Sequence, residues 1–284
     1  MKVRWWLLML PPLLFSVGLL GATQFLFIRV SFFKDLRFGR LDEIVQLTNY
    51  ATFFTDPYYL DSLWLTVRIS AVVALLALLL GYPVAYVLAR MRPRWASTLL
   101  ALAVISAFIT IVIKVLGLII IFSADGPLNA ALKDIGLIDR SVTIYGSFGG
   151  VVVGLLYYTL SFMILILFSV IQTIPRSLED AAEIHGAVRW RVMWRVVLPL
   201  SLPGIVAGGL IVFNLAMGAF TSAALLGGGR VLTLPVLIQQ AVLVQTKYAM
   251  AGTMAAVLLV IVISINVLSV LLVSRLRATR YEVL

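Results

Sequence analysis

The residues of this chain that could do chemistry cluster in one stretch, "EDAAEIHGAVRWRVMWRVVLP", residues 179–199. It carries the acids Glu179, Asp180 and Glu183, the only histidine, His185, and the bases Arg189, Arg191 and Arg195. Three acids around one histidine could suggest a metal site or acid–base catalysis. However, the chain has no cysteine and no second histidine, so thiolate and poly-histidine metal sites are excluded. An isolated His185 cannot build a nucleophile–base pair either, so the reading is a surface element rather than an active site.

The surroundings of this stretch are apolar. Of 284 residues, 62% are hydrophobic and 12% charged, with a mean hydropathy of +1.10. That composition belongs to an integral membrane protein. The net charge of +10 sits in short clusters between apolar runs, which argues for membrane-flanking charge and against nucleic acid. Six runs are long enough to cross a bilayer, at residues 5–29, 62–89, 96–122, 147–173, 201–225 and 249–274. The first begins like a signal peptide, but it continues through "FLFI", so it reads as a retained span. Pro83 and Pro203 predict kinks. Glycines 146, 149, 150 and 154, and 204, 208, 209 and 218, predict close helix approach.

Bases accumulate on alternate loops: Lys2 and Arg4; Arg90, Arg92 and Arg94; Arg176, Arg189, Arg191 and Arg195; Arg275, Arg277 and Arg280. The other loops carry acids, among them Asp35, Asp42, Glu43, Asp56, Asp61, Asp125, Asp134 and Asp139. The positive-inside rule therefore predicts both termini, and the 179–199 stretch, on the cytoplasmic side.

Within the stretch, Pro175 ends the fourth span and Ser177 is the predicted N-cap of a helix from Leu178 to His185, with Glu179 and Asp180 in its first turn. Gly186 offers the left-handed conformation that closes it. Ala181 and Ala182 leave one face small, and Trp190 and Trp194 follow four residues apart on a second helix. Leu198-Pro199 marks membrane re-entry. Such a helix could dock a soluble partner or lie on the lipid surface, and the residues alone leave both readings open.

Ionisable groups inside spans are functional candidates by default. Lys114, deep in the third span, faces either a pathway or a buried acceptor. Arg68 in the second span snorkels to the headgroups or joins the pathway. Tyr157, Tyr158, Phe220 and Thr221 are further pathway candidates, whereas Asn214 and Asn266 fit a hydrogen bond between the fifth and sixth spans better than solute contact. No acid lies well inside a span. This weakens the competing class, a secondary transporter driven by an ion gradient, which needs intramembrane carboxylates and often two related halves.

Asp180-Ala181-Ala182, three residues, Gly186 and then Leu198-Pro199 resembles the Glu-Ala-Ala loop of permease subunits in binding-protein-dependent ABC importers, with Asp in place of the usual Glu. "NYATFFTDPYYLDSLWLTV", "LLLGYPVAYVLAR", "DGPLNAAL" and "GAFTSAALLGG" extend the likeness to the spermidine/putrescine permease subgroup from about Asn49 onward. Phe220-Thr221-Ser222-Ala223 and Lys114-Val115-Leu116 depart from that subgroup's usual residues.

The resemblance implies an all-α integral membrane fold with about six spans. Residues 1–61 form an N-terminal helix and extracytoplasmic loop, and residues 62–284 a methionine-permease-like core in spans two to six. It implies a coupling loop at residues 174–200, contributed by Ser177, Glu179, Asp180, Ala181, Ala182, Gly186, Leu198 and Pro199. It further implies two separate ATPase subunits holding ATP and Mg, with no cofactor on this chain. The remaining expected partners are a second permease and an extracytoplasmic solute-binding protein, at the inner membrane of a bacterium. The solute would be a polyamine or a related zwitterionic or anionic compound. The chain itself has no Gly-Lys pair, and so no phosphate-binding loop of the Gly-Lys type.

Overall fold

The computed structural model describes residues 5–36, 39–42 and 44–281, with side chains between residues 9 and 271. Lys2, Arg4 and Glu43, and the side chains of Arg275, Arg277 and Arg280, lie outside the described residues. In chain order the elements are α1 (Trp5–Ser31), β1 (Lys34–Asp35), β2 (Leu41–Asp42), α2 (Thr48–Thr55), α3 (Pro57–Arg90), α4 (Pro93–Phe108) and α5 (Ile111–Ile121). Next come α6 (Pro127–Asp134), α7 (Phe148–Ile171), α8 (Arg176–Ile184), α9 (Arg189–Val192), a π-helical turn (Met193–Val197) and α10 (Leu198–Gly218). The chain closes with α11 (Thr221–Leu226), α12 (Leu234–Leu243) and α13 (Tyr248–Tyr281). The antiparallel β1–β2 pair is a small departure from the all-α expectation.

Among the described residues, five helices are long and apolar enough to span a membrane: α1, α3, α7, α9 with α10, and α13. The expected third span is not one helix. It is the pair α4 and α5, bent by 94°, because Ile109 (ψ 126°) and Thr110 (ψ 138°) are extended. The β-branched run Ile109–Ile113 has restricted side-chain rotamers in a helix, which lowers the cost of a break there. The fifth span also differs from expectation: its helix begins at Arg189 and ends at Gly218, and residues 221–226 form the separate α11. Helices α3 and α10 continue through Pro83 and Pro203.

The chain divides into two units. The first comprises residues up to 63 with 237–261. There the Asp35 carboxylate accepts the backbone N–H groups of Ala249 (2.8 Å) and Met250 (2.9 Å), filling orphan donors at the start of α13. Asn49 donates to the carbonyls of Ser31 (3.0 Å) and Phe33 (2.7 Å). Asp35, expected only as loop charge, is therefore a helix cap supplied from 214 residues away.

The second unit comprises residues 64–236 with 262–284. Its core includes Ile69, Val73, Leu155, Met163, Leu167, Val212 and Leu226. Glycine lets α7 and α10 approach. A Cβ at Gly204 would meet Val170 at 2.6 Å, one at Gly208 would meet Met163 Sδ at 3.0 Å, and Gly154 abuts Leu226 and Ser222. Gly149, Gly209 and Gly218 meet nothing within 4 Å, so the expectation of close approach holds for only part of the set. Gly204→Ala is expected to destabilise the chain by about 1–3 kcal/mol through overpacking, while Gly209→Ala stays within about 0.5 kcal/mol. Thermal unfolding in detergent compares the two.

Candidate functional site

The polar loop begins at Pro175, whose extended backbone (ψ 131°) makes it the N-cap, so α8 starts one residue later at Arg176. Ser177 is consequently inside the first turn and makes no capping bond, which corrects the expected cap. The C-terminal end follows the sequence. Gly186 has φ +81°, its N–H bonds Glu183 O at 2.9 Å, and Ala187 N–H bonds Ala182 O at 3.1 Å. These are the two bonds of a Schellman motif. Together they fix the direction in which the chain leaves α8.

The faces of α8 are distinct. Asp180 and Ala181 are exposed, Ala182 is half-buried, and Leu178 and Ile184 present apolar surface, Ile184 at 84% exposure. An exposed apolar residue beside a small-residue face on a rigidly capped helix is a surface suited to a partner. Glu179 points the other way. Buried at 8% exposure, it accepts Arg90 Nε at 2.6 Å and Tyr86 OH at 2.9 Å, and Arg90 Nη2 also lies within 2.5 Å of it. Its carboxylate is engaged inside the chain rather than presented beside Asp180. Removing one partner of such a nearly buried pair costs about 3–5 kcal/mol, because the other charge is stranded. By contrast, the exposed Arg189–Glu183 pair at 3.5 Å contributes little. Tyr86, Arg90, Arg176, Glu179, Asp180 and Glu183 border an open cleft of about 410 Å³.

After α8, Trp190 and Trp194 meet edge to face, with centroids 5.4 Å apart, and both are exposed. The helix widens into a π turn in which Leu198 N–H bonds Met193 O. Pro199 explains this widening. It lacks an N–H, and its ring would clash with the carbonyl four residues back, so one extra residue in the turn relieves the clash. Leu198 and Pro199 are therefore at the start of α10, inside one helical stretch that runs from Arg189 to Gly218.

The residues singled out in the spans fall into four places. Lys114 is 3% exposed; its Nζ donates to Ser106 Oγ at 3.3 Å and Tyr157 O at 3.5 Å, and lies 4.9 Å and 6.0 Å from the ring centres of Tyr157 and Tyr158. Of the two readings open for Lys114, the structure thus supplies the buried acceptors, and it brings three pathway candidates together. Arg68 is exposed, over the Phe148 ring at 5.9 Å. Phe220 lies in the break between α10 and α11, and Thr221 is the first residue of α11. Asn214 and Asn266 exchange two hydrogen bonds of 3.0 Å each, the interhelical contact expected of them. A double-mutant cycle with Asn214→Leu and Asn266→Leu is expected to give a coupling of about 1 kcal/mol, read from thermal unfolding.

The description "binding-protein-dependent transport system inner membrane component" matches residues 77–278. The chain belongs to this family. It is 33% identical over 204 residues to the spermidine/putrescine transport system permease protein PotB of Haemophilus influenzae, covering 72% of this chain and 71% of that protein. To the protein of the same description from Salmonella typhimurium it is 35% identical over 187 residues, 66% of this chain and 65% of that one. The alignments thus span about two thirds of the curated relatives' length. A crystal structure of a bacterial alginate ABC transporter, in complex with alginate pentasaccharide-bound periplasmic protein, shares the fold: TM-score 0.77, 20% identity, 94% of this chain and 93% of that one. This permease is therefore an inner-membrane subunit of a bacterial ABC importer, and ATP hydrolysis belongs to a separate chain. The family match takes in Lys114, all of α8 and the Asn214–Asn266 pair. The signal absent from the sequence was the partner of Glu179, because Arg90 lies 89 residues away.

Proposed function

We propose that this permease forms half of the translocation pathway of an ATP-driven polyamine importer, and that α8 is the element that docks on the ATPase. The observation that carries the docking reading is the split between its faces: Glu179 is engaged inside the chain, while Asp180, Ala181, Leu178 and Ile184 are presented outward on a helix closed at Gly186. In this reading both termini and α8 are cytoplasmic, and two ATPase subunits, holding ATP and Mg, bind below. A second, related permease completes the pathway, and an extracytoplasmic binding protein delivers the solute. Rigid displacement of α8 pulls on α7 and on α9–α10, to which it is joined in sequence, and exchanges outward for inward access.

The polyamine substrate is supported by the naming of the relatives that match across two thirds of the chain. A base within the spans argues against a cationic solute only if its charge is presented. Lys114 is nearly fully covered, with its ammonium against two tyrosine rings, which removes that objection. The test is purification of the tagged chain in gentle detergent from its native host, followed by putrescine uptake in proteoliposomes. Recovery of an ATPase and a second permease, lost when Asp180, Ala182 and Gly186 are altered together, supports the docking reading. Recovery of the chain alone under several mild conditions overturns it. Uptake of an anionic or zwitterionic solute in place of putrescine overturns the substrate.

A further inference from the structure

Helix α8 is joined in sequence to α7 and to α9–α10, but a second set of contacts ties it to a helix that it does not adjoin. The Arg90 guanidinium at the end of α3 engages Glu179 Oε1 and also donates to Ile174 O at 3.2 Å. Tyr86, one turn earlier on α3, donates to Glu179 Oε2 at 2.9 Å. In the opposite direction, Arg176 in the first turn of α8 donates to Ala89 O (3.3 Å) and Arg90 O (3.1 Å), the last carbonyls of α3. Charge and helix polarity agree on both sides of the contact: Glu179 lies in the positive first turn of its own helix α8, and Arg176 of α8 joins Arg90 at the negative end of α3.

We propose that Glu179, with Arg90 and Tyr86, is a strut through which α8 moves α3 as well as the helices it adjoins. This rests on the docking reading above. Both oxygens of Glu179 are taken, and the Arg90 and Glu179 side chains are only 14% and 11% exposed, so the pair is weakly screened. A displacement of α8 by more than about an ångström breaks these bonds unless α3 follows, since hydrogen bonds weaken steeply with distance and angle. Glu179 is accordingly a positioning residue. It acts on the pathway through α3 and touches neither ATP nor solute.

The native chain has no cysteine, so single introduced thiols report on single helices. Val87, on α3 and 55% exposed, and Thr173, exposed just after α7, are replaced separately by cysteine in the complete complex. Labelling by a polar maleimide is then measured with and without ATP and vanadate. With Glu179 intact, both sites are expected to change labelling rate by about fivefold. In Glu179→Gln the change at Val87→Cys is expected to vanish while that at Thr173→Cys persists.

Persistence of the Val87→Cys change in Glu179→Gln overturns the strut. Loss at both sites also overturns it, because Glu179 then serves docking or folding rather than transmission to α3. No ATP-dependent change at either site with Glu179 intact overturns the docking reading itself, which separates that failure from the failure of the strut.

Discussion

Gly186→Val is expected to reduce ATP-driven uptake by about tenfold or more, the factor that 1.4 kcal/mol represents, while the chain remains inserted and ATP is still hydrolysed. The effect is conformational rather than steric. A Cβ at Gly186 meets nothing within 4 Å, but the residue sits at φ +81°, where a side chain costs about 1–2 kcal/mol and a β-branched one more. The chain escapes this strain only by surrendering the bonds to Glu183 and Ala182. That lets the exit from α8 swing, so movement of α8 no longer defines movement of α9. Gly186→Asn, which tolerates the left-handed region, is expected to keep most of the uptake. Uptake by Gly186→Val at the level of the unmodified chain sinks the lever mechanism.

Lys114→Glu is expected to produce a loss of stability of about 3–5 kcal/mol, as for a buried charge left without a partner. The substituted carboxylate would face Tyr157 O, the Ser106 hydroxyl and the negative faces of two tyrosine rings. Only the hydroxyl can donate to it. Lys114→Met keeps the length and removes the charge. It is expected to be far milder, since Ser106 retains the hydrogen bond from Ser161 at 3.2 Å. Yield of folded protein after detergent extraction, with thermal unfolding, distinguishes the two. A Lys114→Glu chain as stable as Lys114→Met refutes this account of the buried ammonium.

The parts of this molecule governed by local patterns were readable in advance. Apolar runs located the spans, and Gly186 announced the end of α8 because only a residue without Cβ takes φ +81° cheaply. Asn214 and Asn266 were matched because two isolated amides in neighbouring spans have few other partners. Features set by distant partners were hidden. Nothing near Glu179 shows that Arg90 will turn it inward, and nothing near Asp35 shows that it will cap α13. Ser177 misled because it is a better capping residue than Pro175, yet extended backbone at Pro175 starts the helix first. The break at Ile109–Thr110 carries neither Gly nor Pro, so no punctuating residue marked it.

That 94° elbow has a consequence for water. The last turn of α4 leaves carbonyls, and the first turn of α5 leaves N–H groups, without partners in their own helices. Hydrocarbon cannot satisfy them; bare backbone is tolerated at membrane depth only against other protein or a hydrated space. Residues 106–113 therefore require protein or a hydrated space beside them at membrane depth. Their amides should exchange with deuterium faster than those in the middle of α7, and an assembled transporter should slow that exchange wherever another subunit covers the elbow.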